Sequence, residues 1–448
     1  AGSAFGRVVP ASLAPPAPLR MRARYPLALL TLVAVALGLA LEKEGGDAIQ
    51  VEERYLLYDA KIGEGFNLQK EIFIRAAWLA ESLSNACQKN RNDYAKKPCP
   101  NWVVVLPPWC HLAHWRVPRG TKLGWGEFFD LDHMNSGRVT TMEYETYNQH
   151  ASDTVDVIIH LETFTPDTWT PSHKIIECQD SKKFDSQFES DGGRYIGVYS
   201  GYCTHIRAQQ AVCLATWGQP STFLEPIIQE SGAVSVLVKN LDHATGPYDA
   251  NYHTFREKMM FSSTIRAHAE DYIETHLKRP YLGAHVRRSD FASYAHTTTT
   301  PSVENVAETI RTLITKHKFR SVFVATDSTA AEKDELRKMV PSIVFMTKDF
   351  GHPGLNAVVE QWICTLSNMF VGTRISRFTL NIQEERDLLG IGEELTWNHF
   401  CKGLSNQTCY KGNWFREFPS SKRRVTLYDS TVKNIQASAR SGRAQDEL

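Results

Sequence analysis

Tyr281-Leu-Gly-Ala-His-Val-Arg-Arg-Ser-Asp290 is the stretch whose reading decides the fold. Its first residues form an apolar run of the kind found in a buried strand. Its last six, from His285, bring an imidazole, two guanidiniums and a carboxylate to the strand's C-terminal end. In open α/β sheets ligands bind at that end of the strands. The planar fork of an arginine suits phosphate oxygens, because it can donate two parallel hydrogen bonds. From these residues alone a structural ion-pair cluster remains an equal alternative.

The sequence downstream continues in strict alternation. A helix is expected from Ser302, its N-cap, to His317, with Val303, Val306, Ile310, Leu313 and Ile314 on one face. Strand Ser321–Ala325 follows and ends in Thr326-Asp327-Ser328. Helix Ala330–Met339, strand Ile343–Met346, helix Leu355–Cys364, strand Met369–Gly372 and a helix beginning near Ser376 complete the block. This β-α rhythm predicts a parallel, doubly wound sheet with right-handed crossovers. A first block precedes it, with strands expected at Arg54–Tyr58, Trp102–Leu106, Val155–Ile159 and Val234–Val238. Its helix runs from the glycine-bearing turn Gly63-Glu-Gly-Phe-Asn67 to about Ala86. Two such blocks in series imply an α/β protein with a cleft between them, and the Asp/His/Gly/Pro-rich segment Leu241–Tyr252 is the expected hinge.

Bulk properties agree. A chain of 448 residues favours two or more domains over one core. Fifty acidic and fifty basic side chains cancel, so no global field draws nucleic acid or acidic lipid, and no nucleic-acid partner is expected. Tyr25 to Leu41 is a near-continuous apolar run behind Met21-Arg22-Ala23-Arg24, which fits a secretory signal and is long enough for a marginal membrane anchor. The residues before Met21 form an upstream extension. The sequence ends Gln445-Asp446-Glu447-Leu448, a retention-type signal that points to the lumen of the endoplasmic reticulum. Nine cysteines suit an oxidising compartment. Candidate disulfides are Cys87 with Cys99, Cys178 with Cys213 and Cys401 with Cys409, and the odd number leaves a thiol over. Asn406-Gln-Thr408 is the sole glycosylation sequon. No spacing suggests zinc, and no metal site is expected.

Two segments carry the chemistry. In the Gly63–Asn67 turn the glycines permit close backbone approach, and a carboxylate held there, Glu64, could take a proton from an attacking hydroxyl. Taken alone, it reads more readily as an exposed acid favouring a helix start. Arg287 and Arg288 could neutralise a diphosphate leaving group. Thr326–Ser328, Thr373-Arg-Ile-Ser-Arg-Phe378 and Glu360, which could accept from a base edge, lie on the same side of the same predicted sheet. Their coincidence favours a nucleotide-diphosphate site over an ion-pair cluster. Asp130-Leu-Asp132 has the D-x-D form of metal-dependent sugar transferases. Lacking a preceding apolar strand, it is expected to be a turn or N-cap.

Arg54–Asp59, Glu64–Leu68, Val104–Trp109, Phe128–Leu131, Tyr281–Arg288, Val322–Asp327 and Gln361–Cys364 together resemble the protein O-fucosyltransferases that modify thrombospondin type 1 repeats. The similarity extends from about residue 54 to about 415. It implies a GT-B fold, two Rossmann-like domains facing across a cleft, and inverting transfer of fucose from GDP-fucose to Ser or Thr of a folded repeat. GDP-fucose is then a donor substrate and no cofactor is expected. By motif match Glu64 is the base and Arg287 stabilises the departing phosphate. Donor contacts are implied for Gly63, Glu64, Gly65, Phe66, Asn67, His285, Val286, Arg287, Asp290, Glu360, Ser376, Arg377 and Phe378. Asp290 is expected to support His285 or the nucleotide. Glu360 stands where the family has Asp, and Arg377 where it has Thr. The expected layout is an extension and signal over 1–50, a base-bearing domain over 51–245, a donor-binding domain over 246–418 and a tail over 419–448. A monomer is expected. Another acceptor, or a catalytically silent luminal client-binding protein, are the alternatives.

Overall fold

The computed structural model describes residues 52–59, 65–89, 99–109, 121–151, 153–163, 172–178, 188–191, 194–199, 202–217, 221–241, 250–293, 300–374, 376–391 and 393–397, with 112, 115, 400, 432, 433 and 435 singly. Two sheets organise residues 50–448, which form one compact unit. The hinge expected over Leu241–Tyr252 falls largely outside the described residues, as do Cys401, Asn406 and Cys409.

The first sheet contains β1 (Glu53–Tyr58), β2 (Asn101–Leu106), β3 (Thr141–Glu143), β4 (Thr154–Thr163), β5 (Ser172–Ile176), β6 (Phe188–Asp191), β7 (Arg194–Tyr199), β8 (Ile206–Trp217) and β9 (Ser235–Lys239). Its order is β3-β2-β1-β9-β4-β8-β7-β6, with β5 also on β8. The strands from β3 to β8 along that order run parallel, and β5, β6 and β7 add an antiparallel extension. Helices α1 (Phe66–Lys89), α2 (Leu131–Asn135), α3 (Tyr144–His150) and α4 (Ser221–Ser231) belong to this half. Asp130 caps α2 by accepting from the His133 N–H at 3.0 Å, so the D-x-D sequence is a helix start, as expected.

The second sheet has β10 (Tyr281–Val286), β11 (Ser321–Thr326), β12 (Ile343–Val344), β13 (Met369–Gly372) and β14 (Thr396–Trp397). All neighbours are parallel, in the order β12-β11-β10-β13-β14. Helices α5 (Ala250–Arg256), α6 (Ser263–His276), α7 (Ser289–Ser293), α8 (Val303–His317), α9 (Ala330–Met339), α10 (Pro353–Thr365) and α11 (Arg377–Leu388) complete the described helical set. Ser302 caps α8 as expected, accepting from the Asn305 N–H. The direction of strand addition reverses between β10 and β13, the switch point at which such sheets take ligands.

One continuous apolar cluster spans both halves. It holds Leu56 and Val104 of the first sheet together with Phe323, Trp362 and Ile382 of the second half. Phe66, Trp109, Trp115, Phe128 and Phe129 form an aromatic core within it. Cys178 and Cys213 are disulfide-bonded as expected, with Cα atoms 5.2 Å apart. Cys99 and Cys203 are also in disulfides, and Cys364 is a buried free thiol.

Candidate active site

Strand register assembles the centre of the site. Val286 pairs with Thr326, and His285 with Gly372. One step beyond the last pair, Arg287 meets Asp327, and Thr373 turns off beside it. The Arg287 guanidinium lies 2.8 Å from Asp327 through Nη1 and 2.8 Å from Asp290 through Nη2. Its plane sits over the Phe291 ring, 5.5 Å from the centroid. The Arg287 N–H donates to Thr373 Oγ1 at 3.0 Å, and the Thr373 N–H donates to His285 O at 3.0 Å. These bonds tie the ends of β10 and β13 together at the switch point. Asp290 therefore supports Arg287; the expected pairing with His285 is not made.

His285 instead lies 2.7 Å from Thr379 Oγ1 through Nδ1, and its ring stacks on Phe378 at 4.3 Å. Burial, with Arg287 close by, pushes its pKa down to about 3, so the imidazole is neutral at physiological pH. Gly372 allows this approach, since a Cβ there would lie 2.4 Å from Thr379 Cγ2. Ser376 is buried at the N-cap of α11, where its side chain makes no cap hydrogen bond with the helix. Val286 is buried and its carbonyl accepts from Thr326 Oγ1 at 2.6 Å.

The first half faces these groups through the start of α1. Gly63 and Glu64, the expected base, lie outside the described residues. The Gly65 carbonyl accepts from the N–H groups of Leu68 and Gln69, both at 3.1 Å, and so opens the helix. Asn67 Oδ1 accepts from Gln361 Nε2 at 3.1 Å, a direct bond between the two halves. Phe66 was expected at the donor, but its side chain is committed to the aromatic core, 4.9 Å from both Trp109 and Trp115.

The profile of the GDP-fucose protein O-fucosyltransferases matches residues 55–389. The chain belongs to that family. GDP-fucose protein O-fucosyltransferase 2 of Homo sapiens is 30% identical over 399 residues, covering 80% of this chain and 88% of that protein. The Plasmodium falciparum protein of the same name is 29% identical over 366 residues, covering 76% and 73%. A solved structure of POFUT1 in complex with GDP superposes with a TM-score of 0.50 at 17% identity, covering 75% of this chain and 94% of that one. The fold is thus the GT-B architecture of the fucosyltransferases, and the chain is by family a peptide O-fucosyltransferase.

Two positions where this chain departs from the O-fucosyltransferase pattern acquire structural accounts. Arg377 reaches across to α1 and pairs with Glu71 at 3.1 Å, so a charged contact between the halves stands where Thr was expected. Glu360 sits two turns into α10, half-buried, and burial raises its pKa to about 8, weakly opposed by Lys333. Arg288 is a staple rather than a ligand group: Nε and Nη2 bind Glu332 at 3.0 and 2.9 Å, and Nη1 donates to Pro301 O at 2.6 Å.

Sequence reasoning missed a buried charge cluster that joins α1, α5 and α11. Arg256 Nε donates to Glu384 Oε2 at 2.6 Å and Nη2 binds Glu385; Tyr252 donates to Glu384 at 2.6 Å. Lys70 lies fully buried 3.8 Å from Glu385, and burial lowers its pKa to about 8. No local pattern announces it, because its three elements are far apart in the chain. Among the described residues, no group of three or more His, Cys, Asp or Glu is placed to hold a metal ion.

Proposed function

We propose that this chain transfers fucose from GDP-fucose, with inversion, to a Ser or Thr hydroxyl of a folded thrombospondin type 1 repeat. The observation that carries the reading is Arg287, held at the switch point of a parallel sheet in a member of the O-fucosyltransferase family. An inverting displacement needs a base and a leaving-group cation on opposite sides of the sugar. Glu64 follows β1 of the first half and Arg287 follows β10 of the second, so the two walls of a cleft supply them. In this reading 51–245 provides the base and 246–418 the donor pocket, from His285, Val286, Arg287, Ser376, Phe378 and the Gly63–Asn67 turn. Arg287 carries the charge of the departing diphosphate, as preorganised cations do in closed sites, and no divalent ion is assigned a role. The disulfides support a luminal setting.

Mass spectrometry of a folded repeat incubated with the protein and GDP-fucose tests the reading. A mass gain of one fucose is expected, and none on the reduced repeat, since a reader of shape ignores an unfolded chain. Glu64→Ala should abolish transfer while GDP binding survives, and Arg287→Ala should impair both. A fully active Glu64→Ala protein would remove the base assignment.

A further inference from the structure

In the proposed transfer Arg287 is the leaving-group cation, and the role assigned here to its neighbours rests on that assignment. The two carboxylates that hold its guanidinium are not equivalent. Asp290 is on the five-residue helix α7, with its side chain 45% exposed, and it also accepts from the adjacent Phe291 N–H at 3.1 Å. Asp327 directly follows β11, with its side chain 25% exposed. Its Oδ1 accepts the Arg288 N–H at 2.7 Å, and its carbonyl accepts the Ser289 hydroxyl at 3.3 Å. Asp327 is thus anchored to the backbone just after β10 by one oxygen and faces Nη1 of Arg287 with the other.

The charge balance matters too. Asp290, Asp327 and Glu332 outnumber Arg287 and Arg288 in this cluster, so it does not work by amassing positive charge. A long arginine side chain that wandered would have to be ordered during the reaction. One fixed beforehand has already lost that freedom. We propose that Asp327 is a positioning residue for the transfer: it acts through Arg287, holding the guanidinium in the orientation that meets the departing diphosphate oxygen. Asp290, the more exposed partner with the weaker anchorage, is the one that can yield when the donor arrives.

Asp327→Asn separates this from a structural role. It keeps the size and the acceptor for the Arg288 N–H but removes the charge facing Nη1. Steady-state kinetics should show kcat down about ten- to a hundred-fold. Donor KM should stay within about three-fold, with an unchanged thermal midpoint. In an Arg287→Lys background the same change should add little, because both substitutions act on one unit. If Asp327→Asn does not fold, Asp327→Glu tests the same point, with the charge kept but displaced and kcat again falling at near-constant KM. Wild-type kcat in these variants, a loss that tracks the folded fraction, or full additivity with Arg287→Lys would overturn the proposal. A wild-type protein that neither binds GDP nor turns over GDP-fucose overturns the donor assignment beneath it.

Discussion

Burial moves two titratable groups of the donor half in opposite senses. His285 is held neutral, with its pKa lowered to about 3, so it serves as a hydrogen-bonding and stacking group and not as a cation. Glu360 is pushed up to about 8 and carries a proton at neutral pH. Because its folded value lies above its unfolded one, its contribution to stability is present below the unfolded pKa and is lost as pH rises through about 8. In the proposed role it accepts from the N–H groups of a guanine edge, which requires the carboxylate, so donor binding must expel the proton. GDP affinity should therefore rise with pH up to about 8, by at most about ten-fold per unit, with proton uptake by the buffer detectable calorimetrically. Glu360→Gln should flatten that dependence; a wild-type affinity flat across this range would remove Glu360 from the base edge. Arg287 was legible as a site residue because residue type and strand-end position both pointed to it. Asp327 as its clamp and Thr373 as the tie were not, since inter-strand register brings them there.

At the scale of elements, α10 shows how closely the halves are fitted. Its second residue, Gly354, lies under the Trp115 ring of the first half, where a Cβ would approach to 2.3 Å. His352 caps the same helix through Nδ1, which accepts from the Leu355 N–H at 3.1 Å, and its ring lies 5.9 Å from Phe128. Alanine is favoured over glycine in a helix by about 1 kcal/mol. The clash with a buried indole should outweigh that gain, and Gly354→Ala should lose about 1–3 kcal/mol net in urea unfolding. A stabilised variant would show that the indole can move away. From β10 to α11 the elements were readable except for the short α7, because helical periodicity alternates there with short apolar runs, whereas α5, α6 and β14 went unread. Only β12 shrinks, to Ile343–Val344. The first block was readable in β1, β2, β4, β9 and α1 but not in β3, β6, β7, β8 or β5, whose Ser172–Ile176 is largely exposed and offers neither a buried run nor an apolar face. It exists because β8 provides its hydrogen-bond partners.

Across the whole molecule, a shared core and a buried charge cluster fasten together the halves that sequence alone set apart as two blocks. Arg256, fully buried, balances Glu384 on α11 while its second contact holds Glu385. Arg256→Met would leave two buried carboxylates facing Lys70, 3.8 Å from Glu385, as the remaining cation of the cluster, and a loss of about 3–5 kcal/mol is expected. The wild-type protein should unfold in one transition, with tryptophan fluorescence and calorimetry coincident. Two separated transitions would show that the halves are stable apart.

Cys364 gives this cohesion a chemical consequence. Its sulfur is fully buried against Ala284 O, and burial raises its pKa well above the ordinary thiol value. Only the thiolate reacts with alkylating or oxidising reagents. While the sheet stays closed, an oxidant able to join Cys178 to Cys213 finds neither access nor a nucleophile at this sulfur. The chain therefore carries, at its centre, a silent tag whose labelling would date each opening of the fold.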